Sequence, residues 1–161
     1  MAFDCFVRID TIQGESADAQ HLGWMEVYNF RMGIGQTVSR TTSTAGGASV
    51  ERADFKPLNF VRPMDQATPQ LALACAQGRH IGEIVVEVCR AGGEQVPCLT
   101  CRLNDCLISR VMTIGGGNFP VESVDVNYGR IEWRYHLQTR DNGGAVGRMV
   151  TGWNLERNCK L

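Results

Sequence analysis

Apolar and polar residues alternate with a period of two along most of this chain, and this pattern constrains the fold more than any other feature. Successive side chains of a β-strand point to opposite faces, so the alternation indicates strands with one buried face. The first run places on one face Phe3, Cys5, Val7 and Ile9. We therefore predict a mainly β protein.

A second run predicts an apolar face that points into the core, made of Trp24, Tyr28, Phe30, Met32 and Ile34. The odd positions Asn29, Arg31 and Gly33 then point away from that core. A third strand is expected over residues 58–62, where apolar residues are again frequent.

The phase of the alternation slips by one residue at Gly129. Before it the even positions Val124, Val126 and Tyr128 are apolar, and after it the odd positions Ile131 and Trp133 are apolar. A slip at a glycine is typical of a β-bulge, where a strand bends from one sheet into the next. The sequence therefore predicts a small β-barrel of two sheets. On the preceding long strand we expect a shared face of Leu99, Cys101, Leu103, Leu107 and Val111.

One short helix is predicted over residues 69–77. Thr68 suits the N-cap, Pro69 suits the first helical position, and Gly78 can end the helix with a positive φ. Between them lies a run of good helix formers.

The segment 37–53 contains small polar residues and glycine without apolar periodicity. Such composition predicts a loop, and a loop of this length is usually functional. We expect it to protrude from the barrel.

Length and charge limit the possible functions. The chain has 161 residues, the length of one domain, with 16 basic and 17 acidic residues and a net charge of −1. It has no basic excess for nucleic acid and no apolar run long enough to span a membrane. The acidic residue Asp4 and the missing apolar run argue against a cleaved signal peptide. We expect synthesis in the cytoplasm, with any export using another route.

Seven cysteines are present, an odd number that argues against a disulfide framework in a reducing compartment. Most are predicted to be small buried apolar residues. Cys98, Cys101 and Cys106 lack a partner pair with metal-ligand spacing, so we assign no metal, cofactor or catalytic residue. A barrel enzyme that uses a cysteine nucleophile, beside His80 or His136, stays open as an alternative, as does a ligand-binding barrel.

Several strands are apolar on both faces. Phe6 is on the face of its strand opposite to that of Phe3, and Val85 is on the face opposite to that of Val86. A lone barrel needs only one buried face per strand, so the doubled faces indicate cover by another subunit.

Motifs over nearly the whole chain carry a family resemblance. They are Met1-Ala2-Phe3-Asp4, Gly14-Glu15-Ser16, Asp65-Gln66-Ala67-Thr68-Pro69-Gln70-Leu71, Ala74-Cys75, Gly78-Arg79-His80, Cys89-Arg90-Ala91-Gly92-Gly93, Val126-Asn127-Tyr128-Gly129-Arg130-Ile131 and Gly152-Trp153-Asn154. In this order and spacing the chain resembles the haemolysin co-regulated protein (Hcp) family, tube subunits of the bacterial type VI secretion system. Phe30 and Met32 stand where the family often has tryptophans.

The resemblance implies homohexameric rings that stack into a hollow tube. The tube lies inside a sheath on a baseplate, carries a spike protein, and is expelled with effector proteins in its lumen. The family's arrangement implies that Asn29 and Arg31 line the lumen, although a solvated arginine on the outer wall stays an alternative. Ring-stacking candidates in the long loop are Thr42, Ser43, Thr44, Gly46 and Gly47.

Overall fold

Antiparallel strands dominate the molecule, as the alternation predicts. A computed structural model describes residues 3–39, 49–91, 95–138 and 145–161. The elements of these residues are β1 (Phe3–Ile9), β2 (Met25–Val27), β3 (Asn29–Gly35), β4 (Val38–Ser39), β5 (Ser49–Val50), β6 (Asp54–Pro63), α1 (Thr68–Gln77), β7 (His80–Arg90), β8 (Pro97–Ile114), β9 (Val121–Asn127), β10 (Arg130–Gln138), β11 (Ala145–Asn154) and β12 (Cys159–Lys160).

The 18-residue strand β8 organises a branched, 10-stranded sheet. One arm runs β12-β11-β10-β8-β7-β1-β2, and the other joins β8 to β9, β6 and β3. The hydrogen-bonded ladder does not close, but its edges β2 and β3 are consecutive in the chain. Between them the N–H of Tyr28 donates to the carbonyl of Val61 at 2.8 Å. The mainly β, barrel-like fold is confirmed, and the two predicted sheets are two arms that share β8.

A bend in β8 divides the strand between these arms. Asp105 has a positive φ of 55°, and the buried side chains change from the odd position Leu103 to the even position Cys106. Leu107 is consequently 38% exposed, so its predicted place on the core face is wrong. The bend lies beside Gly129, whose N–H donates to the Asp105 carbonyl at 3.2 Å. There the chain passes from β9 to β10, so the phase slip at Gly129 is a break between strands.

The predicted core face of the second run is wrong in part. Met25 and Val27 of β2 are buried, whereas Tyr28 and Ile34 are 60% and 54% exposed. The reason is that β2 pairs with β1 while β3 pairs with β6, so the alternation restarts at Tyr28. On β3 the core-facing residues are those at positions 30 and 32, which pack partly buried against the core.

The helix α1 ends as predicted, because Gly78 has φ 57° and its N–H donates to the Cys75 carbonyl at 3.1 Å. Its predicted start is wrong by one residue, since Ala67 holds the N-cap position without a side-chain cap. The Thr68 hydroxyl instead donates to Glu122 Oε1 on β9 at 3.1 Å. In the described part of the chain, no helix is long and apolar enough to span a membrane.

The segment 13–24 covers the outward face of β1 and β7. Its His21 is 1% exposed and stacks on Phe6, with 4.1 Å between the ring centroids. The imidazole contacts Asp18 Oδ1 at 2.7 Å and Glu87 Oε2 at 2.9 Å. The hydrogen bond from His21 lowers the pKa of Asp18. At Phe6, therefore, the chain itself covers the second apolar face, and the predicted cover by another subunit is wrong for this residue.

Candidate assembly surfaces

A row of polar side chains crosses the outward face of one arm of the sheet. The strand register places Arg31 of β3 opposite Asn59 of β6, Asn59 opposite Asp125 of β9, and Asp125 opposite Arg110 of β8. We call these four residues the polar row. They are distant in sequence, and only the strand pairing brings them together.

Three members of the polar row hold one another in place. Arg110 Nε donates to Asp125 Oδ2 at 2.8 Å, and the Asn59 amide donates to Asp125 Oδ1. The same amide donates to Ser123 Oγ at 2.9 Å, and Asn59 is only 8% exposed. Arg31 is exposed and makes no ion pair with any described residue. Two arginines and one aspartate leave the row with one net positive charge.

Both predicted lumen residues lie on this outward face. Asn29 is exposed and in register with Val61, two residues along β3 from Arg31. The prediction that the odd positions of this run point away from the core therefore agrees with the structure. Whether that face borders a lumen depends on how copies of the chain assemble, and it stays a prediction.

The predicted ring-stacking residues Thr42, Ser43, Thr44, Gly46 and Gly47 lie outside the described residues. The chain on either side of them forms a two-stranded ribbon. In it Val38 pairs with Val50 and Ser39 pairs with Ser49. Val38 and Val50 are 50% and 67% exposed. This ribbon is a feature that the small, polar composition of the segment did not predict.

An uncovered apolar surface lies on the hairpin of β10 and β11. We call it the hairpin patch, and it comprises Tyr135, Leu137 and Met149, all at least 43% exposed. Tyr135 pairs with Met149 in the strand register. It also shares strand parity with Ile131, which is 1% exposed. The face of β10 that begins in the core thus continues beyond the chain's own cover.

A second uncovered apolar surface lies beside the polar row. Met112 and Ile114 at the end of β8 and Phe119 in the following turn are 45–57% exposed. Met112 is in register with Ser123, next to Asp125 of the polar row. Neighbouring exposed apolar side chains of this kind are typical of surfaces that another protein covers.

Four of the seven cysteines are buried in surroundings that disfavour the thiolate. Burial raises the pKa of Cys5, Cys89, Cys101 and Cys106 to about 12 in each case. A catalytic cysteine needs the opposite shift, because the thiolate is the nucleophile. The contacts of the two predicted bases are with oxygen atoms of other residues. His80 lies 4.0 Å from Asp105, and His136 lies 3.4 Å from the Thr100 hydroxyl.

Possible metal ligands are dispersed over the described residues, and the barrel core is packed with side chains. Among the described residues, His, Cys, Asp and Glu form no group of three that could hold a metal ion. The barrel interior is filled by fully buried side chains, including Phe60, Leu58 and Met25.

The fold and these surfaces define a small antiparallel β-barrel protein with one helix and several uncovered apolar strand faces. A family model described as "Type VI secretion system effector, Hcp" matches residues 6–135. The chain belongs to this Hcp family of the type VI secretion system.

Individual relatives agree with this assignment. The chain is 32% identical to Protein hcp1 of Pseudomonas aeruginosa over 163 residues, which cover 99% of each chain. A solved structure of a type six secretion system protein superposes with a TM-score of 0.92 at 30% identity, covering 99% of this chain and 100% of the other. The crystal structure of Hcp1 from Salmonella typhimurium superposes with a TM-score of 0.82 at 26% identity, with 100% coverage of both chains.

Proposed function

We propose that this chain is a structural subunit of a type VI secretion tube and has no enzymatic role. Six copies form a ring, and rings stack into a hollow tube that is expelled with effector proteins inside. The observation that carries this proposal is the hairpin patch, because the chain leaves it uncovered although it continues a core face. Residues 1–161 form a single tube domain in this proposal.

The hairpin patch meets a second copy of the chain in this proposal. Tyr135 and Met149 are 49% and 67% exposed, and covering them removes apolar surface from water. Aromatic residues and methionine are enriched at the centres of protein interfaces. A closed ring covers the patch of every subunit with the same partner surface, which suits a cyclic homo-oligomer.

The polar row lines the lumen in this proposal. Its side chains are too polar for the dry centre of a subunit interface, but they suit a water-filled channel. Arg31 is exposed, while Asn59 and Asp125 are fixed by hydrogen bonds. Six copies of Arg31 place a ring of positive charge on the wall. Such a ring favours acidic cargo and disfavours basic cargo.

The segment between β4 and β5 contacts the next ring. Its stacking residues are Thr42, Ser43, Thr44, Gly46 and Gly47, carried at the end of the exposed ribbon. Spike, sheath and baseplate proteins are the remaining assembly partners. The subunit is made in the cytoplasm and leaves with the tube.

Light scattering after size-exclusion chromatography tests the proposal. A ring elutes with six times the 17.8 kDa mass of the subunit. A cysteine enzyme or a ligand-binding barrel of this fold needs no ring, and a species of subunit mass alone would argue for one of these. The raised thiol pKa values and the filled interior weigh against both alternatives.

A further inference from the structure

Two cysteines lie near each other on neighbouring strands, at an irregularity of the β7–β8 ladder. Through most of this ladder the register is regular, with Glu87 opposite Thr100 and Val88 opposite Leu99. At the next position the register shifts, and Cys89 is paired with Pro97. Cys98 is therefore the extra residue of a bulge, where two residues oppose one. Together with Pro97 it opposes Cys89.

Side-chain contacts support this proximity. Cys98 Sγ donates to the Val88 carbonyl at 3.0 Å, and that carbonyl belongs to the peptide bond joined to Cys89. Cys98 is also one of the groups that raise the pKa of Cys89, after burial and Glu87. Opposed residues of a regular antiparallel pair have Cβ atoms roughly 4.5–5.5 Å apart, against roughly 3.5–4.5 Å in a disulfide, and a bulge changes this spacing locally.

We propose that Cys89 and Cys98 form an oxidisable thiol pair, which a low-molecular-weight disulfide such as oxidised glutathione converts to a cross-strand disulfide. Cys98 is partly exposed and reacts first, whereas Cys89 is buried. The Cys98 thiol loses its proton to water, and its sulfur attacks one glutathione sulfur, so that a mixed disulfide forms and one glutathione thiolate leaves. The Cys89 sulfur, after losing its own proton, attacks Cys98 Sγ and releases the second glutathione. Two protein thiols are oxidised, and one glutathione disulfide is reduced to two thiols.

The strand order separates two other thiols of this sheet. Cys5 on β1 is opposite Val88, and Cys101 on β8 is opposite Val86, so β7 separates these two thiols. Cys106 is opposite Ile81. In a subunit that is expelled from a reducing cytoplasm, as proposed above, the link would form after release.

Peptide mapping of the full chain tests the pair. The reduced, folded protein is incubated with oxidised glutathione without denaturant, the remaining thiols are alkylated, and trypsin is added. Cleavage after arginine places Cys89 in the peptide His80–Arg90 and Cys98 in the peptide 91–102. We expect these two peptides to be joined and to separate on reduction.

Matched variants identify the linked cysteines, because Cys101 lies in the same peptide as Cys98. Cys98→Ser should abolish the link, and Cys101→Ser should retain it. The proposal is overturned if the wild type carries glutathione on Cys98 without any joined peptide. It is also overturned if the joined peptide persists in Cys98→Ser, since the link would then use Cys101.

Discussion

Arg62 and Glu122 form an ion pair inside the barrel, with Nη1 2.7 Å from Oε1 and both side chains 0% exposed. They are directly opposite in the β6–β9 register. Thr68 at the start of α1 donates to the same Glu122 oxygen, and Asp65 forms a second ion pair with Arg62. This buried group of charges ties the start of the helix to the sheet.

Removing the cation of this pair should destabilise the fold in a pH-dependent way. Burial raises the pKa of Glu122, and Arg62 opposes that rise. Arg62→Met leaves a buried carboxylate without its main counterion, which should cost about 3–5 kcal/mol of unfolding free energy near neutral pH. A raised pKa means that the folded chain holds this proton more tightly than the unfolded chain does. The loss should therefore shrink as the pH falls and Glu122 becomes protonated. Urea unfolding at a fixed protein concentration measures it.

The double variant Arg62→Met with Glu122→Leu is the control for this prediction. Replacing both charges by apolar side chains should recover most of the loss, because no uncompensated charge stays buried. A loss in Arg62→Met below about 1 kcal/mol, the usual size for an exposed pair, would contradict the prediction.

Much of the fold could be predicted because it rests on local sequence signals. The alternation that predicts β1 and β9, and the glycine at position 78 that ends the helix, each depend only on residues close together in the sequence. The phase changes at Tyr28 and Asp105 could not be predicted in the same way. At Tyr28 the chain changes its partner strand, and at Asp105 a non-glycine residue adopts a positive φ, which no residue type signals reliably.

The candidate surfaces were less predictable than the fold. Arg31 and Asn29 follow from parity on a single strand. Asn59, Asp125 and Arg110 join them only through the register of three more strands, which depends on long-range pairing. Met149 was missed because residues 142–155 have the composition of a loop with a short strand. In the structure β11 extends over ten residues there.

Charge on the hairpin patch should break the ring and leave the subunit folded. Met149 is 67% exposed, so Met149→Asp removes little packing within one chain, but it buries a carboxylate at the proposed interface. We expect a species of subunit mass in light scattering, with an unchanged circular dichroism spectrum. Leu22→Asp, at a residue that is 76% exposed outside the patch, should still form rings. If Met149→Asp formed rings at the same protein concentration as the wild type, the hairpin patch would not be part of the interface.

Reversing the charge of Arg31 should change the cargo without changing the ring. The side chain lies on the outward, exposed face of β3, so Arg31→Glu should keep the ring mass. Acidic proteins that co-purify with the wild type should be lost, because the wall would carry negative charge. Arg157→Glu makes the same charge change at another exposed position and should keep that cargo. An Arg31→Glu variant that loses the ring itself would show that Arg31 is an interface residue.

Deleting Thr42 to Ser49 should separate ring formation from stacking. The deletion removes the segment 42–48 and Ser49, the first residue of β5, and leaves the barrel strands unchanged. We expect single rings of normal mass, no tubes in electron micrographs, and no secretion. Tubes of normal length from the shortened chain would show that another surface stacks the rings.

Electron microscopy of the purified protein tests the central claim most directly, since the claim is that copies of this barrel enclose a channel. The account predicts class averages of a sixfold ring with a central hole, and in a reconstruction Arg31 should face that hole. Averages without a hole or without sixfold symmetry would contradict the tube assignment. A ring with Arg31 on its outer circumference would contradict the assignment of the polar row to the lumen.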